Sequence, residues 1–445
     1  MSDPANLPDR DPASTDNPTQ PPPQDSVPGG AAAGNTPAQL AEAAPREPGA
    51  SLMHRITTGN GLVSVLAILL SLIVGAILIA ATDERVTSTA SYFFARPTDM
   101  LSAIWTSVSD AYGALFRSAI FNTQADGFAN AIYPLTETLT VATPLILAGL
   151  GVALAFRVGL FNIGGQGQII LGAMLAGWVG FTLDLPAGIH LLLAVVAGIV
   201  GGAIWGGIAG VLKAKRGAHE VIVTIMLNYI AVYLLLYALT TPGFQRPGSN
   251  NPISPEIHQS AAYPLLFGSG YRLHLGFVVA LLAVAFVWWL LNRSTAGFEL
   301  RAVGANPQAA RTAGINVPRA YITAMVLAGA LAGLAGTAQI SGTERSLSGD
   351  IAASFGFDAI TVALLGRSNP IGTLFAGLLF GALRAGGVGM QSNTGIPIDI
   401  VLVVQSFIVL FIAAPPLVRS IFRIHTGQKK SRKATARTAK AGGAA

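Results

Sequence analysis

The sequence predicts an all-α protein, a polytopic transmembrane helical bundle with about ten membrane segments. Apolar residues make up 52% of the 445 residues and charged residues only 11%, whereas about 25% of a soluble domain is charged. Several apolar runs are about 20 residues long, which is enough for a helix to cross a hydrocarbon core of about 30 Å. The sequence contains no cysteine, which excludes disulfides and thiolate metal sites.

The apolar runs define the predicted segments in chain order. They span residues 61–82, 132–156, 163–183, 187–212, 220–240, 274–292, 320–341, 355–366, 370–388 and 397–418. The eighth run is too short to span a membrane straight, so we expect it to be tilted, broken or buried within the bundle. The long connection 83–130 contains two amphipathic stretches, at 100–105 and 112–116, which we expect to lie along the membrane surface.

The basic residues predict the orientation of these segments. With the N-terminus in the cytoplasm, the cytoplasmic connections hold most of the arginines and lysines, among them Lys213, Lys215 and Arg216, as the positive-inside rule requires. An even number of segments then places both termini in the cytoplasm. The same rule accounts for the net charge of +6, so no nucleic-acid partner is needed to explain it. The partner that this composition implies is the lipid bilayer.

The two ends of the chain differ in composition from the apolar region. Residues 1–50 hold eleven of the 26 prolines and almost no large apolar residues, so they cannot bury enough surface to offset the entropy of ordering. We expect 1–55 to be a disordered Pro/Ala-rich cytoplasmic tail, 56–418 to be the transmembrane domain, and 419–445 to be a basic disordered cytoplasmic tail. The first apolar run is too long for a signal-peptide core, so we expect a retained anchor helix.

Glycines recur every four residues in the fourth segment, at Gly198, Gly202, Gly206 and Gly210. This spacing places them on one helix face, where another helix backbone can approach closely. We therefore predict tight packing of this face against a neighbouring helix.

Polar residues interrupt several apolar segments. A charge at the bilayer centre costs about 2.5–3.5 kcal/mol on insertion scales, so such residues usually face a cavity or a partner. The candidates for a translocation pathway are Asn162, Gln166, Gln168, Thr224, Asn228, Tyr229, Asp358 and Arg384. For each amide the alternative stays open that it only joins helices by hydrogen bonds. Asp358 and Arg384 lie on successive antiparallel segments, so we expect them to pair or to face one aqueous cavity.

Catalytic patterns are absent from the sequence. It contains no HExxH, no GxSxG and no phosphate-binding GxxxxGK[ST] pattern, and these are the motifs that would indicate a zinc hydrolase, a serine hydrolase or a P-loop ATPase. We therefore expect a protein that is not an enzyme and that has no metal site.

The polar stretch Phe298–Arg319 between two apolar segments contains a short helical pattern. Asn306 fits the N-cap, Pro307 the first helical position and Gly314 the residue after the end. A helix this short is marginal in water without a partner to pack on. Two interpretations stay open, an ordinary basic loop on the cytoplasmic side or a helix that docks into another protein.

Four stretches in one order resemble a known family. They are GLFNIGGQGQIILGAMLAG (159–177), HEVIVTIMLNYIA (219–231), ELRAVGANPQAARTAGI (299–315) and GFDAITVALLGRSNPIG (356–372). Together they are similar to the permease subunit of bacterial ABC importers, above all to its nucleoside-type branch, which is related to ribose and branched-chain amino acid permeases. The family pattern commonly reads NIGAEGQ, whereas this chain has Gly165 and Gln166 there. Asp358 stands where the family often has an uncharged residue.

The resemblance implies a permease subunit that carries nucleosides across the bacterial plasma membrane. It implies three protein partners: an ATP-binding cassette subunit, a second and homologous permease, and an external lipid-anchored substrate-binding protein. ATP would be bound by the partner, so no cofactor is expected in this chain. The resemblance also implies that the stretch 299–315 is the coupling helix seated on the ATPase. Its coupling residues would be Glu299, Arg301, Gly304, Asn306, Pro307, Ala309, Ala310, Arg311 and Gly314.

Two other functions stay open. One is an ABC permease for a sugar or an amino acid, because the nucleoside site is not defined by the sequence beyond the amide and aromatics of Asn228, Tyr229 and Tyr233. The other is a secondary transporter working without ATP, a class that usually carries acidic residues near mid-depth for ion coupling. Glu137 and Asp358 are predicted near the outer ends of their segments, which counts against that class.

Overall fold

A computed structural model of the chain describes residues 60–422, and this part of the protein is helical, without a β-strand. The predicted all-α class is therefore confirmed. The helices are α1 (Asn60–Thr82), α2 (Glu84–Ala90), α3 (Pro97–Ala119), α4 (Phe128–Arg157), α5 (Gly165–Thr182), α6 (Ile189–Arg216), α7 (Glu220–Ala238), α8 (Gly276–Arg293), α9 (Thr295–Ala305), α10 (Pro307–Thr312), α11 (Val317–Thr337), α12 (Phe355–Leu365), α13 (Pro370–Thr394), α14 (Asp399–Ala413) and α15 (Pro415–Ile421). A π-helix, Ala338–Glu344, continues α11, and a 3₁₀ turn lies at Gln259–Ala261.

Each of the ten predicted segments contains one of these helices. Between residues 60 and 422, seven helices are long and apolar enough to cross a membrane, namely α1, α4, α6, α7, α8, α11 with its π-helical extension, and α13. The other three segments hold α5, which is rich in glycine and glutamine, and the shorter α12 and α14. The protein is thus a multi-pass helical bundle, while the number ten stays a prediction. The predicted tail 1–55 lies outside the described residues, as does most of 419–445, although α15 continues past residue 418 to Ile421.

The helix α4 forms the centre of the bundle. Every residue from Ala142 to Ala155 is buried, and α4 packs against α11, α12 and α13. A helix that is apolar on all faces requires neighbours on all faces, which agrees with its small and aliphatic composition.

The glycine face of α6 packs on α11, as predicted. A Cβ added at Gly202 would collide with the carbonyl oxygen of Gly329, and one added at Gly329 would collide with that of Gly202. Gly198 and Gly206 likewise face atoms of α11. Because neither backbone carries a side chain at these points, the two helices approach more closely than larger residues would allow.

The two amphipathic stretches predicted in the connection 83–130 belong to one helix, α3. Pro97 occupies its first turn, and Ala111, Ala114 and Ala119 are buried in its contacts with α13 and α1. A Cβ at Gly386 of α13 would meet the carbonyl oxygen of Leu115 at 2.7 Å. These small residues explain why α3 packs against the bundle instead of forming two separate surface segments.

The eighth predicted segment, 355–366, forms one short helix, α12, and irregular backbone lies before it. The π-helix ends at Arg345, which has a φ of 63°, and an irregular stretch with buried Leu347 and Ile351 follows. Helix α12 begins only at Phe355 and has 11 residues, about 16 Å. Irregular backbone is tolerated at membrane depth where protein surrounds it or where it lines a cavity.

Contacts define two ends of the bundle. At one, which we call the basic end, Arg157 Nε donates to Ser368 O (2.8 Å) and Lys213 Nζ lies 2.7 Å from the Glu220 carboxylate. The backbone at Gly304 lies against Arg157 at the same end. The connections of the basic end are 158–164, 217–219, 294–316 and 366–369. The opposite end, which we call the far end, holds the connections 83–127, 183–188 and 239–275.

Candidate translocation pathway and coupling surface

Three of the candidate amides form one buried cluster near the start of α5. Asn162 and Gln168 exchange two hydrogen bonds, at 3.1 and 3.2 Å, and Asn162 Oδ1 also accepts the Gly164 N–H. Asn228 of α7 accepts the N–H of Gly167 at 2.8 Å and donates to a carbonyl of the connection 158–164 at 2.9 Å. These bonds fix that connection between α5 and α7 and use much of the amides' hydrogen-bonding capacity.

Gln166 joins the first turn of α5 to the start of α12. Its Nε2 donates to Ala353 O at 2.6 Å and its Oε1 accepts the Gly356 N–H at 3.0 Å. An amide can make both bonds, whereas an ionised glutamate can only accept. The glutamine that departs from the family pattern therefore matches the backbone groups that it meets here.

Asp358 and Arg384 form the predicted pair. Arg384 Nη1 lies 3.0 Å from Asp358 Oδ2, and Ser354 Oγ donates to the same carboxylate oxygen at 2.8 Å. The Arg384 guanidinium also lies over the Phe355 ring, 4.4 Å from its centroid. The carboxylate thus has a counter-charge and two hydrogen-bond donors inside the bundle.

The pair joins the start of α12 to α13, and its depth in the membrane stays a prediction. Arg384 lies near the middle of α13, and Asp358 lies in the first turn of α12, beside the residues that Gln166 contacts. The irregular stretch after the π-helix, residues 345–354, leads directly into α12, which begins at the first residue of the eighth predicted segment. The pairing of Asp358 with Arg384 argues against ion coupling, because an already paired carboxylate is a poor site for a transported cation.

Thr224 and Tyr229 contribute differently from the amides. Thr224 is buried and its hydroxyl donates to carbonyls one turn earlier in α7, at Glu220 and Val221. Tyr229 and Tyr233 are 59% and 67% exposed on the outside of the bundle. The structure therefore does not bring these two tyrosines into a cavity with Asn228.

Two cavities flank the ion pair. The far-end cavity, of about 250 Å³, is lined by Thr140, Val141, Arg272, Gln339, Thr343, Glu344, Ser348, Asp350, Ala353, Phe355 and Arg384. The side cavity, of about 430 Å³, is lined by Ser354, Asp358, Thr361, Phe380, Leu402, Gln405, Ser406 and Val409. Arg384 borders the first and Asp358 the second, so the pair separates the two spaces. A second ion pair, Arg272 with Glu137 at 3.1 Å, lies at the rim of the far-end cavity.

The sequence predictions missed most of the far-end cavity. Gln339 and Thr343 belong to the π-helix, and Ser348 and Asp350 to the irregular stretch after it. The available signal was the polar run that ends the seventh segment, where Gln339 stands within otherwise apolar sequence. Only the fold shows that this run lines a cavity with α4, α12 and α13.

The predicted cap residues of the short helix α10 are confirmed. Asn306 Oδ1 accepts the N–H groups of Gln308 and Ala309 at 2.9 and 3.1 Å. Pro307 is the first helical residue, and Gly314 has a φ of 86°, a conformation that favours glycine. Local sequence chemistry therefore determines both ends of this helix.

The packing of α10 differs from the prediction. Ala310 is only 4% exposed, and its carbonyl accepts the Ile315 N–H, so it packs on its own chain. Ala310 is therefore a residue that holds α10 on the bundle, and docking of the exposed side of α10 into another protein stays a prediction. The neighbouring alanines Ala309 and Ala313 are exposed.

The remaining coupling residues lie on or beside α9, a helix that the sequence analysis did not predict. Ser294 caps it by accepting the Gly297 N–H at 2.9 Å. A Cβ at Gly304 would collide with the carbonyl of Arg157, so this glycine serves close packing. The charged members Glu299 and Arg311 are exposed and Arg301 is half-buried. Within residues 60–422 none of these three forms an ion pair, which leaves their charges available at the basic end.

Comparisons with known proteins identify relatives of this chain. It matches a family described as the permease component of branched-chain amino acid transport systems over residues 135–413. It is 42% identical to the guanosine ABC transporter permease protein NupP of Bacillus subtilis strain 168, over 71% of this chain and 88% of NupP. It is 37% identical to the nucleoside ABC transporter permease protein NupB of Lactococcus lactis, over 74% and 89% of the two chains.

A sugar permease is similar at a comparable level. The glucose ABC transporter permease protein TsgB13 of Haloferax volcanii is 36% identical, over 68% of this chain and 80% of TsgB13. No solved structure matches the chain.

Proposed function

The chain belongs to the family of permease components of branched-chain amino acid transport systems, and on that basis we propose that it forms the membrane path for nucleosides in an ATP-driven importer. The observation that carries the proposal is the 42% identity to a guanosine permease over 88% of that protein's length. A second nucleoside permease at 37% identity supports the same substrate class. The exposed polar cavity at one end and the capped helix at the other agree with a path that is coupled to a second protein.

We propose that the chain crosses the bacterial plasma membrane ten times with both termini in the cytoplasm. The basic end is then cytoplasmic, because the positive-inside rule assigns Arg157, Lys213 and the basic connection 294–316 to that side. The far end and its cavity open to the outside.

The ATPase is a separate subunit in this proposal, and it binds the surface formed by α9 and α10. Support comes from the caps of α10, which hold it rigid, and from exposed Ala309, Ala313 and Arg311 beside exposed Glu299. Gly304 and Ala310 contribute indirectly, because their packing holds α9 and α10 against the bundle. ATP is bound by the partner, so this chain needs no cofactor and has no ATPase activity of its own.

The second permease subunit is a different, related chain. Bacillus subtilis and Lactococcus lactis each have a further similar permease of the same named transporter, NupQ and NupC. This pairing supports a heterodimer in which the chain occupies the position of NupP or NupB.

An external lipid-anchored binding protein would dock at the far end. A groove of about 840 Å³ there is lined by charged residues that include Asp83, Arg85, Asp110 and Arg117. The Arg85 guanidinium lowers the pKa of Asp83 to about 2, so that carboxylate stays charged well below neutral pH. Such a surface suits a polar contact that forms and breaks in each transport cycle.

Within the path, we assign different roles to the candidate residues. Asp358 and Arg384 line the two cavities and separate them. Asn162, Gln166, Gln168 and Asn228 hold α5, α7 and α12 in place around them, whereas the Thr224 hydroxyl bonds within α7. Tyr229 faces outward, where the second permease or lipid would cover it.

A sugar is the second candidate substrate, supported by the 36% identity to a glucose permease. The test is uptake of radiolabelled guanosine by the complete complex, competed with other nucleosides, glucose, ribose and branched-chain amino acids. Nucleosides should compete at the lowest concentrations. Competition by glucose with none by nucleosides would replace the proposed substrate by a sugar.

A further inference from the structure

One wall of the far-end cavity is a π-helical turn, Ala338–Glu344. Such turns are rare and occur often at functional sites, since they widen the helix and change where side chains point. Here Gln339 and Thr343 of the turn line the far-end cavity.

Several side-chain oxygens of this turn have no hydrogen-bond partner among residues 60–422. Gln339 is only 5% exposed, and its one hydrogen bond within the described chain is a long contact of 3.5 Å from Nε2 to Ile351 O. Its Oε1 accepts no hydrogen bond from the described residues. The Thr343 hydroxyl is buried and also has no partner there. Buried polar atoms left unpaired are costly, so the turn is suited to a hydrogen-bonding occupant of the cavity.

The charges around the cavity select the kind of occupant. Its two arginines, Arg272 and Arg384, are each paired with a carboxylate. Glu344 and Asp350 also line the cavity, and neither forms an ion pair within residues 60–422. The free groups are therefore mainly acceptors with excess negative charge, which favours hydroxyl donors and disfavours anions.

The size and the aromatic lining restrict the occupant further. A volume of about 250 Å³ is slightly below the roughly 300–1,000 Å³ of pockets for whole drug-sized ligands. Phe355 is only 6% exposed, and the Arg384 guanidinium covers one face of its ring. No open aromatic face is thus available for a nucleobase to stack on. A sugar ring with hydroxyl groups is small enough for this volume and needs no aromatic face to stack on.

We propose that the far-end cavity binds the sugar half of a neutral nucleoside, with Gln339, Thr343 and Glu344 accepting hydrogen bonds from its hydroxyl groups. This assignment rests on the proposed function and adds a site and a recognition chemistry to it. A carboxylate that accepts hydrogen bonds from ribose hydroxyls is a common mode of nucleotide recognition. The excess of negative charge makes the same site unfavourable for phosphorylated nucleosides.

The test compares a ribonucleoside with its 2′,3′-dideoxy counterpart. The whole importer is reconstituted in proteoliposomes with its binding protein outside, and kcat/KM for ATP-driven uptake is measured for both substrates. The ratio of the two values is the discrimination ratio. Because the binding protein is the same throughout, a change in the ratio between permease variants is due to the permease.

Gln339→Met removes the amide and keeps the chain length. We expect the discrimination ratio to fall about 3- to 10-fold, the effect of one lost hydrogen bond. Gln405→Met is the matched control, since Gln405 is 7% exposed and lines the side cavity, and it should leave the ratio unchanged. Thr343→Val removes the hydroxyl and keeps the side-chain shape, so it should also lower the discrimination ratio. If Gln339→Met does not fold, Thr343→Val provides the test.

The outcomes separate the two levels of the proposal. Nucleoside uptake with an unaltered ratio in both Gln339→Met and Thr343→Val overturns the cavity assignment alone. A fall of equal size in Gln405→Met overturns it as well. A wild-type complex that takes up no nucleoside overturns the proposed function and this assignment together.

Discussion

Single polar residues inside the bundle are held by specific partners, and those partners determine what each residue can do. The amides of Asn162, Gln168 and Asn228 bond to one another or to backbone groups. Sequence reasoning identified them but could not separate joining helices from lining a path, because one type of side chain serves both. The ion pair of Asp358 and Arg384 was predictable because two charges at membrane depth require compensation.

The first prediction concerns this ion pair. Asp358→Asn and Arg384→Gln each leave the opposite charge without its counter-charge, so each should lower the free energy of unfolding by about 1.5–3 kcal/mol. The double variant should lose less than the sum of the two, by about 0.5–3 kcal/mol. Thermal unfolding of the purified protein in detergent provides the measurement. Strictly additive losses would argue that the two residues do not interact.

The second prediction concerns His274, which precedes α8. Its ring is buried, stacks on Tyr263 with centroids 5.5 Å apart, and accepts the Gly276 N–H through Nδ1. Burial lowers the pKa of His274 to about 4, whereas the unfolded chain would titrate near 6.5. Between these values the unfolded state binds the proton first, so stability is fully present above pH 6.5 and falls as the pH drops toward 4.

The measurement for His274 is the unfolding temperature between pH 5 and 8. The wild type should lose stability toward pH 5, and His274→Asn, which keeps an acceptor but does not titrate, should lose less over that range. Equal pH dependence in both proteins would show that His274 does not titrate as described.

At the scale of elements, the glycine spacing in the sequence predicted the close backbone contact between α6 and α11. Gly202→Leu should destabilise the bundle by about 1–3 kcal/mol or prevent folding, since its side chain would have to displace the backbone at Gly329. The matched control is Ile204→Leu on the exposed side of α6, where Ile204 is 58% exposed. Similar detergent stability of both variants would mean that the glycine face is not an interface.

The coupling surface gives a fourth prediction, in which neighbouring alanines behave differently. Ala309→Asp changes an exposed residue, so it should leave the unfolding temperature unchanged while the ATPase no longer co-purifies. Ala310→Asp places a charge in a site only 4% exposed and should destabilise the permease itself. Ala187→Asp, exposed at the far end, is the control and should affect neither. Normal ATPase association of Ala309→Asp would contradict the assigned surface.

The sequence predicted some helices correctly and missed others. The apolar runs predicted the long helices, and the cap residues Asn306 and Gly314 predicted α10, because these signals are local. The π-helix and the stretch after it were not predictable, since contacts distant in sequence fix them. Leu347 N–H donates to Ser254 Oγ at 2.8 Å, and Tyr263 N–H donates to Ser341 O at 2.8 Å. Helix α9 was missed because it lacks a clear apolar period.

At the scale of the whole molecule, the fold joins a polar far-end cavity to an exposed surface at the basic end. Helix α12 and the irregular stretch before it lie between them, next to α13 and the central helix α4. Movement of α9 and α10 by an ATPase can reach α4 through the close contact of Gly304 with Arg157. This continuity makes the described part of the chain suited to converting a partner's movement into access to the cavity.

ATP-driven uptake tests the central claim most directly. The chain is reconstituted with the proposed second permease, ATPase and binding protein, and accumulation of radiolabelled guanosine is followed with and without ATP at the basic end. We predict accumulation against a gradient only when ATP and the ATPase subunit are both present. Guanosine uptake that continues without either of them would contradict the claim and indicate a transporter that works without ATP.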